Sequence, residues 1–522
     1  METIIKNQKK PKFSRRNMAF LGMVVGMFMA ILDIQIVASS LHVIAAGLSA
    51  SQDELSWVQT SYLIAEVIII PLSGFAARLL STRISYSIAA LGFTIMSVMC
   101  AFATNLESMI IFRAFQGFFG GAMIPTVFAT IFMVFEPKER PLVSVIIGLV
   151  VTMAPTLGPT IGGYITDATS WHFMFLLNVI PGIFVCTIVF LFADFDEPDY
   201  SLLEDFDYIG VILLISTLGI FQYILEEGAR KLWFESDLII GLSLYVVFGL
   251  FFLIYHELTT AKPILNLRAF RHRNFAIGCV LSGVLGIGLY GSVFLLPVFL
   301  GNSAGLDTLQ IGIIMGVMGI SQFISAPVAG MIMKTNPDRR IMMFFGLIAY
   351  GFGCYLNSFL TPDSRFYELM LPQMIRGFSA MFCFIPINDM ALSALPRNEI
   401  QNASGLYNLM RNLGGAFGLA IINLKVNDDS VINRDIISSN VPETSEIAQN
   451  GLANIANMVD GQVGDVEAVS LTILNNLMVR DSFIISINNA FAHISVLYFL
   501  SLFLIFFASK MNIVTENEPS SH

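Results

Sequence analysis

The sequence predicts an all-α integral membrane protein in which two parallel six-helix bundles flank an inserted two-helix hairpin. Two observations predict this fold class. First, the 522 residues are 55% hydrophobic and only 13% charged, with a mean hydropathy of +0.74, which leaves too few charges to cover a soluble globule of this size. Second, short segments of the first half recur in the second half at a constant spacing. We therefore expect fourteen membrane-spanning helices arranged as a duplication.

The repeated segments are separated by 256 residues in each case. The matched pairs are Pro71 and Pro327, Gly74 and Gly330, Arg78 and Lys334, Arg83 and Arg339, Gly158 and Gly414, and Gly162 and Gly418. A membrane protein with two similar halves of the same orientation is typical of a transporter that rocks around a central site. Transport is therefore the leading hypothesis.

The spans are placed by length, because a helix needs about 20 mostly apolar residues to cross the hydrocarbon core. Windows that meet this condition lie at 17–38, 56–76, 84–103, 107–134, 141–164, 173–193, 208–226, 237–256, 274–300, 309–333, 341–360, 367–393, 402–424 and 483–508. Eight crossings separate residue 78 from its counterpart 334, and this even number makes the halves parallel. Six spans in each half account for twelve of the fourteen windows. The two that remain, 208–226 and 237–256, are interpreted as the hairpin.

Basic residues set the orientation. With both termini in the cytoplasm, 19 of the 28 Lys and Arg residues lie inside, 6 lie outside and 3 lie within spans. This distribution follows the positive-inside rule, to which the acidic segment at 194–207 contributes little. The predicted organisation is a basic cytoplasmic N-terminus at 1–16, a bundle at 17–193, an acidic cytoplasmic loop at 194–207, the hairpin at 208–256, a bundle at 274–508 with a periplasmic loop at 425–481, and a cytoplasmic tail at 509–522.

Other function classes have little support in the sequence. It contains no G-x-x-x-x-G-K-[ST] motif of an ATP-driven pump and no H-E-x-x-H or G-x-S-x-G motif of an intramembrane hydrolase. The five cysteines lie in apolar runs without C-x-x-C spacing, which is unlike a disulfide framework or a zinc site. We therefore expect no enzymatic activity, no cofactor, no bound metal ion and no nucleic-acid partner.

Two charged residues fall at similar depths in the predicted bilayer. Counted along their helices at about 1.5 Å per residue, Asp33 lies roughly 24 Å and Arg113 roughly 21 Å from the cytoplasmic surface. An ionised side chain at the bilayer centre costs about 2.5 to 3.5 kcal/mol, so a charge there needs a partner or a function. We expect Asp33 and Arg113 to pair, and protonation of the acid would release the arginine. A fixed structural ion pair is the alternative.

Further polar residues outline a candidate substrate cavity, which we expect to include Gln59, Tyr62, Glu66, Gln116 and Arg411. Glu66 shares a helix face with Gln59 and Tyr62 near the predicted midplane. It could carry a proton together with Asp33, contact a cationic substrate, or be a hydrogen-bonded structural acid. Arg411 could anchor the structure or contact an anionic ligand.

The fifth predicted span contains an unusual run of proline and glycine. Pro155 and Pro159 lack backbone donors, and Gly158 and Gly162 remove side-chain bulk along one stripe, next to Gly163. Such a helix can bend and pack closely. We expect it to act as a hinge or seal between the halves; a tight helix contact without a moving role is the alternative.

At these residues the chain resembles the major facilitator superfamily, and within it the fourteen-span drug:proton antiporters of the EmrB and QacA type, more closely EmrB. The resemblance covers nearly the whole chain. Arg113-x-x-Gln116-Gly117 is similar to the fourth-span motif that the family links to proton coupling. Gly158-Pro159-x-x-Gly162-Gly163 is similar to the fifth-span antiporter motif that the family associates with export.

The loop after the second span resembles the family's cytoplasmic gate loop at Gly74, Arg78 and Arg83, but Arg78 stands where the superfamily usually has an aspartate. The resemblance implies a proton-driven multidrug exporter of hydrophobic or amphipathic compounds in the bacterial inner membrane. It also implies small-molecule drugs, protons and membrane lipid as ligands, with an EmrA-type periplasmic adaptor and an outer-membrane channel as partners. The alternatives are a proton-coupled uptake symporter and an exporter of one specific metabolite.

Overall fold

The computed structural model describes residues 15–51, 54–204, 206–335, 338–393, 395–440, 446–459 and 465–510. Within these ranges the chain is helical and forms no β-strand. The α-helices are α1 (Arg15–Ser39), α2 (Leu41–Gly47), α3 (Trp57–Leu80), α4 (Thr82–Ala101), α5 (Leu106–Val134), α6 (Arg140–Ala168), α7 (His172–Leu176), α8 (Val179–Phe192), α9 (Tyr208–Glu227), α10 (Asp237–Thr259), α11 (Arg273–Asn302), α12 (Thr308–Thr335), α13 (Arg339–Leu356), α14 (Phe366–Leu392), α15 (Arg397–Ser439), α16 (Glu446–Val459) and α17 (Val466–Phe507). Short 3-10 helices occupy Tyr200–Leu203, Trp233–Glu235, Leu267–Arg271 and Asn357–Phe359.

The all-helical membrane fold that composition predicts is confirmed. In the described part of the chain, 13 helices are long and apolar enough to cross a membrane, and a helix suits lipid because it satisfies its backbone hydrogen bonds internally. The remaining predicted span, 402–424, lies inside α15, whose polar residues, among them Asn402, Asn408 and Arg411, lower its hydropathy. The number of fourteen crossings therefore stays a prediction.

The helices form two sets with equivalent contacts. In the first set α1 packs against α5, α6 and α8, and in the second set α11 packs against α14, α15 and α17. The sets meet where α3 contacts α15 and where α6 contacts α12. The repeated glycines lie at these two places: Gly74 of α3 lies against the backbone of Gln401, and Gly330 of α12 lies against Val145 of α6. The sequence repeat thus corresponds to a repeat in the packing.

The predicted hairpin consists of α9 and α10. Its first helix, α9, contacts α3 of the first set and α15 of the second, whereas α10 packs mainly against α9. Large apolar side chains such as Phe248, Phe251 and Phe252 of α10 are exposed, as expected for a helix that faces lipid. The hairpin therefore flanks the boundary between the two sets.

Two helices extend well beyond the thickness of a bilayer. α15 has 43 residues and α17 has 42, which corresponds to ~60 Å each against a hydrocarbon core of ~30 Å. Much of the predicted loop at 425–481 is therefore helical, and α16 packs on α17. α16 ends at Val459, Val463 lies outside the described residues, and Val466 begins α17.

Candidate functional site

A cavity of about 440 Å³ lies between the two helix sets, and a recess of about 60 Å³ adjoins it. Residues of α1, α3, α9, α11 and α15 line both. The surface is largely apolar with a few polar groups, which is the composition of small-molecule sites in general. Of the residues predicted for a substrate cavity, Gln59 lines both spaces and Glu66 lines the recess.

Glu66 is the acidic residue of α3 at the recess. Its side chain is buried, Gly121 of α5 lies behind it, and no described residue donates a hydrogen bond to its Oε2. Asn412 and Arg411 of α15, from the opposite helix set, are among its electrostatic neighbours. The carboxyl group therefore lies at the boundary between the halves, where a change in their relative position would alter its environment.

Asp33 and Arg113 form the ion pair expected from their matched depths. Arg113 Nη1 donates to Asp33 Oδ2 at 2.6 Å, and the two side chains are almost completely buried, at 0% and 1% exposure respectively. The guanidinium also donates from Nε to the backbone oxygen of Val58 at 3.0 Å, and it lies 4.3 Å from the centre of the Tyr62 ring. The arginine therefore connects α5 to α1 and to α3.

The other oxygen of Asp33 accepts two amide hydrogen bonds. Gln116 Nε2 donates to Oδ1 at 3.1 Å, and Asn178 Nδ2 donates to the same atom at 2.7 Å. Gln116 Nε2 also contacts Ser97 Oγ at 2.8 Å, so α4 joins the cluster. Every described contact to the carboxylate comes from a donor, so both of its oxygens are paired. A protonated Asp33 would lose the attraction of Arg113, which stays charged.

The structure assigns two predicted cavity residues to this buried cluster. Tyr62 packs its ring against Arg113 and donates to the backbone oxygen of Ala30 at 3.3 Å, and Gln116 bonds to both members of the ion pair. Both are completely buried. Two residues outside the predicted site complete the cluster, Asn178 before α8 and Ser97 in α4. In the sequence, Asn178 is a polar residue at the start of an apolar run, three residues before Pro181.

The proline and glycine segment lies in α6, which continues through it as one helix. A side chain at Gly158 would collide with Cβ of Gln35 in α1, so the glycine permits close contact between these helices. Gln35 and Pro159 both line the cavity. Since Gln35 is two residues after Asp33, this contact connects the buried ion pair to the cavity wall. Pro155 and Gly162 are buried in α6, and Gly163 is half-buried.

The cavity is closed at the far end of α3. Gly74 lies against Gln401, and Ser404 of α15 donates to the backbone oxygen of Pro125 in α5 at 3.0 Å. A carboxylate that sequence reasoning missed, Asp196, strengthens this closure. It accepts from the backbone N and the Oγ1 of Thr82 at 2.9 and 2.7 Å, and from Gln401 Nε2 of the opposite half at 3.2 Å.

The basic residues predicted for the gate loop lie beside this contact. The backbone oxygen of Arg78 accepts from the Asp199 amide at 3.0 Å, and the Arg83 guanidinium lies 4.6 Å from the centre of the Phe190 ring. The acidic loop between the halves thus folds against the turn from α3 to α4. It supplies a carboxylate near the turn where Arg78 replaces the usual aspartate.

Arg411 lies between the two halves. Its Nη2 donates to Asn408 Oδ1 at 2.7 Å within α15, and its guanidinium lies 5.0 Å from the ring centre of Phe128 in α5. The side chain is buried at 3% exposure, and its neighbour Asn412, rather than Arg411 itself, lines the recess. Arg411 therefore acts on the recess as a nearby positive charge.

The sequence profile of the Major Facilitator Superfamily matches residues 23–419 of this chain, which is most of its length. The chain belongs to the Major Facilitator Superfamily. Among solved structures of this superfamily, the proton:xylose symporter XylE bound to 6-bromo-6-deoxy-D-glucose superposes with a TM-score of 0.60 at 13% identity, covering 94% of this chain and 95% of that one. At this identity the likeness concerns the fold alone.

Relatives of higher identity also cover nearly the whole chain. The colistin resistance protein EmrB of Acinetobacter baumannii is 38% identical over 94% of this chain and 96% of that protein. The probable multidrug resistance protein EmrY of Escherichia coli is 29% identical, with coverages of 92% and 93%. This chain is accordingly a multi-pass membrane protein of the EmrB type within the Major Facilitator Superfamily, a transporter family.

Proposed function

We propose that this chain is a proton-driven multidrug exporter of hydrophobic or amphipathic compounds, in which Asp33 is the proton acceptor. The observation that carries the proposal is the completely buried Asp33–Arg113 pair, one helix contact away from an interhelical cavity. The names of the EmrB and EmrY relatives, which refer to colistin and multidrug resistance, support export of toxic compounds. The proline and glycine segment of α6 supports export rather than uptake by its resemblance to the antiporter motif.

The mechanism follows from the contacts of the carboxylate. A proton that reaches Asp33 removes its charge, and the attraction between α1 and Arg113 of α5 weakens. Gln35, which follows on α1, packs against Gly158 of α6 and lines the cavity, so a shift of α1 changes the cavity wall. Each proton that enters down a potential of 100 mV supplies about 2.3 kcal/mol. Return of Asp33 to the ionised form restores the pair and completes the cycle.

The proposal includes a location and partners. We assign the chain to the bacterial inner membrane with both termini in the cytoplasm, because this orientation follows the positive-inside rule. The described closure at Gly74 and Asp196 then lies on the cytoplasmic side, and the cavity corresponds to an outward-facing state. An EmrA-type adaptor, leading to an outer-membrane channel, would contact the extension formed by α15, α16 and α17.

The test is substrate-induced proton movement in inverted membrane vesicles. Compounds are first chosen from those to which the chain gives resistance in an efflux-deficient host. We expect each to release protons from acidified vesicles that contain the wild type, and Asp33→Asn to abolish this release with normal amounts of protein in the membrane. Asp307→Asn removes an acid at the outer end of α12 and serves as the control. Wild-type coupling by Asp33→Asn would contradict the mechanism, and accumulation of the compounds in the cell would favour an uptake symporter.

A further inference from the structure

The inserted hairpin forms part of the cavity wall. Near the end of α9, Leu225 and Glu226 line the main cavity, and Gln222, one turn earlier, lines the recess next to Glu66. The hairpin therefore does not only face lipid beside the two bundles; it also contributes side chains to the cavity. It brings a carboxylate to the same space as Glu66.

The two adjacent acids of α9 have different environments. Glu227 is completely buried, accepts a hydrogen bond from Ser56 Oγ at 2.7 Å and pairs with Arg230 Nη2 at 3.0 Å. It therefore fastens α9 to the beginning of α3. Its charge is opposed by Arg230 and is not available to a molecule in the cavity.

Glu226 has no such cation. Its Oε1 accepts from Gln222 Nε2 at 2.8 Å, and among the described residues no Lys, Arg or His pairs with the carboxylate. The side chain is half-buried and lines both the cavity and the recess. A carboxylate in a partly desolvated wall that lacks a protein counter-ion is stabilised by a cation from outside.

The surrounding surface is suited to an organic cation. Neither Lys nor Arg lines the cavity or the recess, and the charge of Glu66 is opposed by the nearby Arg411. Two buried acceptors at the recess, Glu66 Oε2 and Gln222 Oε1, have no donor among the described residues. Tyr290 and Phe294 of α11 supply aromatic surface from the opposite half, and aromatic faces attract cations.

We propose that Glu226 is the specificity-determining residue that makes this cavity prefer lipophilic organic cations. The positive centre of the ligand lies against the Glu226 carboxylate, and its apolar groups pack against Tyr290 and Phe294. This inference deepens the proposed function, because it assumes that the cavity between the halves is the transport site. The inserted hairpin then selects the substrate charge, while Asp33 in the first bundle takes up the proton.

The test compares two ions of the same shape and opposite charge, tetraphenylphosphonium and tetraphenylborate, by equilibrium binding to the purified full-length chain in detergent. The wild type is expected to bind the cation more tightly than the anion. Glu226→Gln is expected to weaken binding of the cation about tenfold, which corresponds to ~1.4 kcal/mol, without weakening binding of the anion. Glu226→Asp, which keeps the charge, is expected to retain most of the preference.

Glu227→Gln is the matched control, because it removes the neighbouring acid that is already paired. It is expected to lower the melting temperature and to leave the ratio of the two affinities unchanged. The inference is overturned if the wild type shows no preference for the cation, or if Glu226→Gln weakens both ions equally. The binding assay uses no proton gradient. Loss of preference in Glu226→Gln together with an absence of proton release from wild-type vesicles would therefore support the binding role and contradict the proposed export.

Discussion

The two halves of the molecule each bury an arginine at an equivalent place, and they surround it differently. Arg113 of α5 pairs with Asp33 of α1. Arg376 of α14 donates instead to Ser292 of α11 and to Gln373, and among the described residues no carboxylate pairs with it. Both arginines are completely buried. Both halves therefore bury a guanidinium group, but its partner is the carboxylate of Asp33 in the first half and the hydroxyl of Ser292 in the second.

This difference separates a titratable site from a permanent charge. Arg376 lies 5.9 Å from the ring centre of Tyr350 and 5.8 Å from that of Phe491, so aromatic faces take part in its stabilisation. Ser292 offers a hydroxyl, which stays neutral at physiological pH, whereas Asp33 offers a carboxylate, a class of side chain that exists in an ionised and a protonated form. We therefore expect proton coupling to be concentrated in the first half, while the second half responds to it.

The largest expected effect comes from removing the two arginines one at a time. Arg113→Gln leaves Asp33 buried without its counter-ion, which should lower the free energy of unfolding by about 3 to 5 kcal/mol and abolish proton-coupled transport. Arg376→Gln removes a buried charge that has no carboxylate partner, so its cost should be smaller. Thermal unfolding in detergent and proton release from vesicles measure the two effects.

The double variant Asp33→Asn with Arg113→Gln sharpens this comparison. Because it removes both charges, it should recover part of the stability that Arg113→Gln loses, without recovering transport. Equal destabilisation by Arg113→Gln and Arg376→Gln would indicate that the two arginines have equivalent structural roles. Loss of coupling in Arg376→Gln at normal stability would contradict the assignment of coupling to the first half.

The helices and the ion pair could be predicted because both follow from positions counted along the sequence. Apolar length determines the spans, and the rise per residue places Asp33 and Arg113 at one depth. The neighbour towards which a given helix face points is harder to predict from the sequence. Tyr62 and Glu66 share a face, yet Tyr62 packs under Arg113 and Glu66 lines the recess. Their separation depends on how α3 is rotated between α5 and α15.

The contacts of Asp196 and Glu226 were beyond sequence reasoning for a different reason. Each depends on contacts between segments that lie far apart in the sequence. Asp196 bonds to Gln401, which is 205 residues away, and composition alone marked its loop only as acidic. Glu226 and Glu227 are adjacent and chemically identical, so only the packing of α9 against α3 distinguishes the paired acid from the unpaired one.

An intermediate effect is expected at the repeated glycines. Gly158 permits contact of α6 with Gln35, and Gly414 permits contact of α15 with the backbone of Gly283. Alanine at either position would force the helices apart and should destabilise the chain by about 1 to 3 kcal/mol. Gly316→Ala in α12, where nothing lies within 4 Å of the added carbon, is the control and should be tolerated. Thermal unfolding of the three variants measures the difference.

Gly158→Ala and Gly414→Ala should differ in function. Gly158→Ala changes a helix contact next to Asp33 and the cavity wall. It is expected to lower the transport rate by more than its loss of stability alone explains. The second lies against α11, away from the titratable pair. Equal losses of transport in both variants would show that the two glycines serve packing alone.

The smallest expected effect concerns the carboxylates at the closed end. Asp389 pairs with Arg339 at 2.7 Å within the second half, whereas Asp196 reaches across to Gln401. Asp196→Asn should therefore weaken the closed state by about 1 kcal/mol, which corresponds to a roughly fivefold change in population. Asp389→Asn should change stability without a comparable change in this equilibrium.

A cysteine at Ala129 reports the equilibrium, because this residue is buried beside Ser404 and Gln401 at the closed contact. In a chain whose five native cysteines have been replaced, we expect N-ethylmaleimide to label Ala129→Cys several times faster when Asp196→Asn is present. Asp389→Asn should leave the labelling rate near that of the parent. Unchanged labelling in Asp196→Asn would mean that Gly74 and Ser404 hold the closed end together without the loop carboxylate. The difference between Asp196 and Asp389 would then have no effect on this closure.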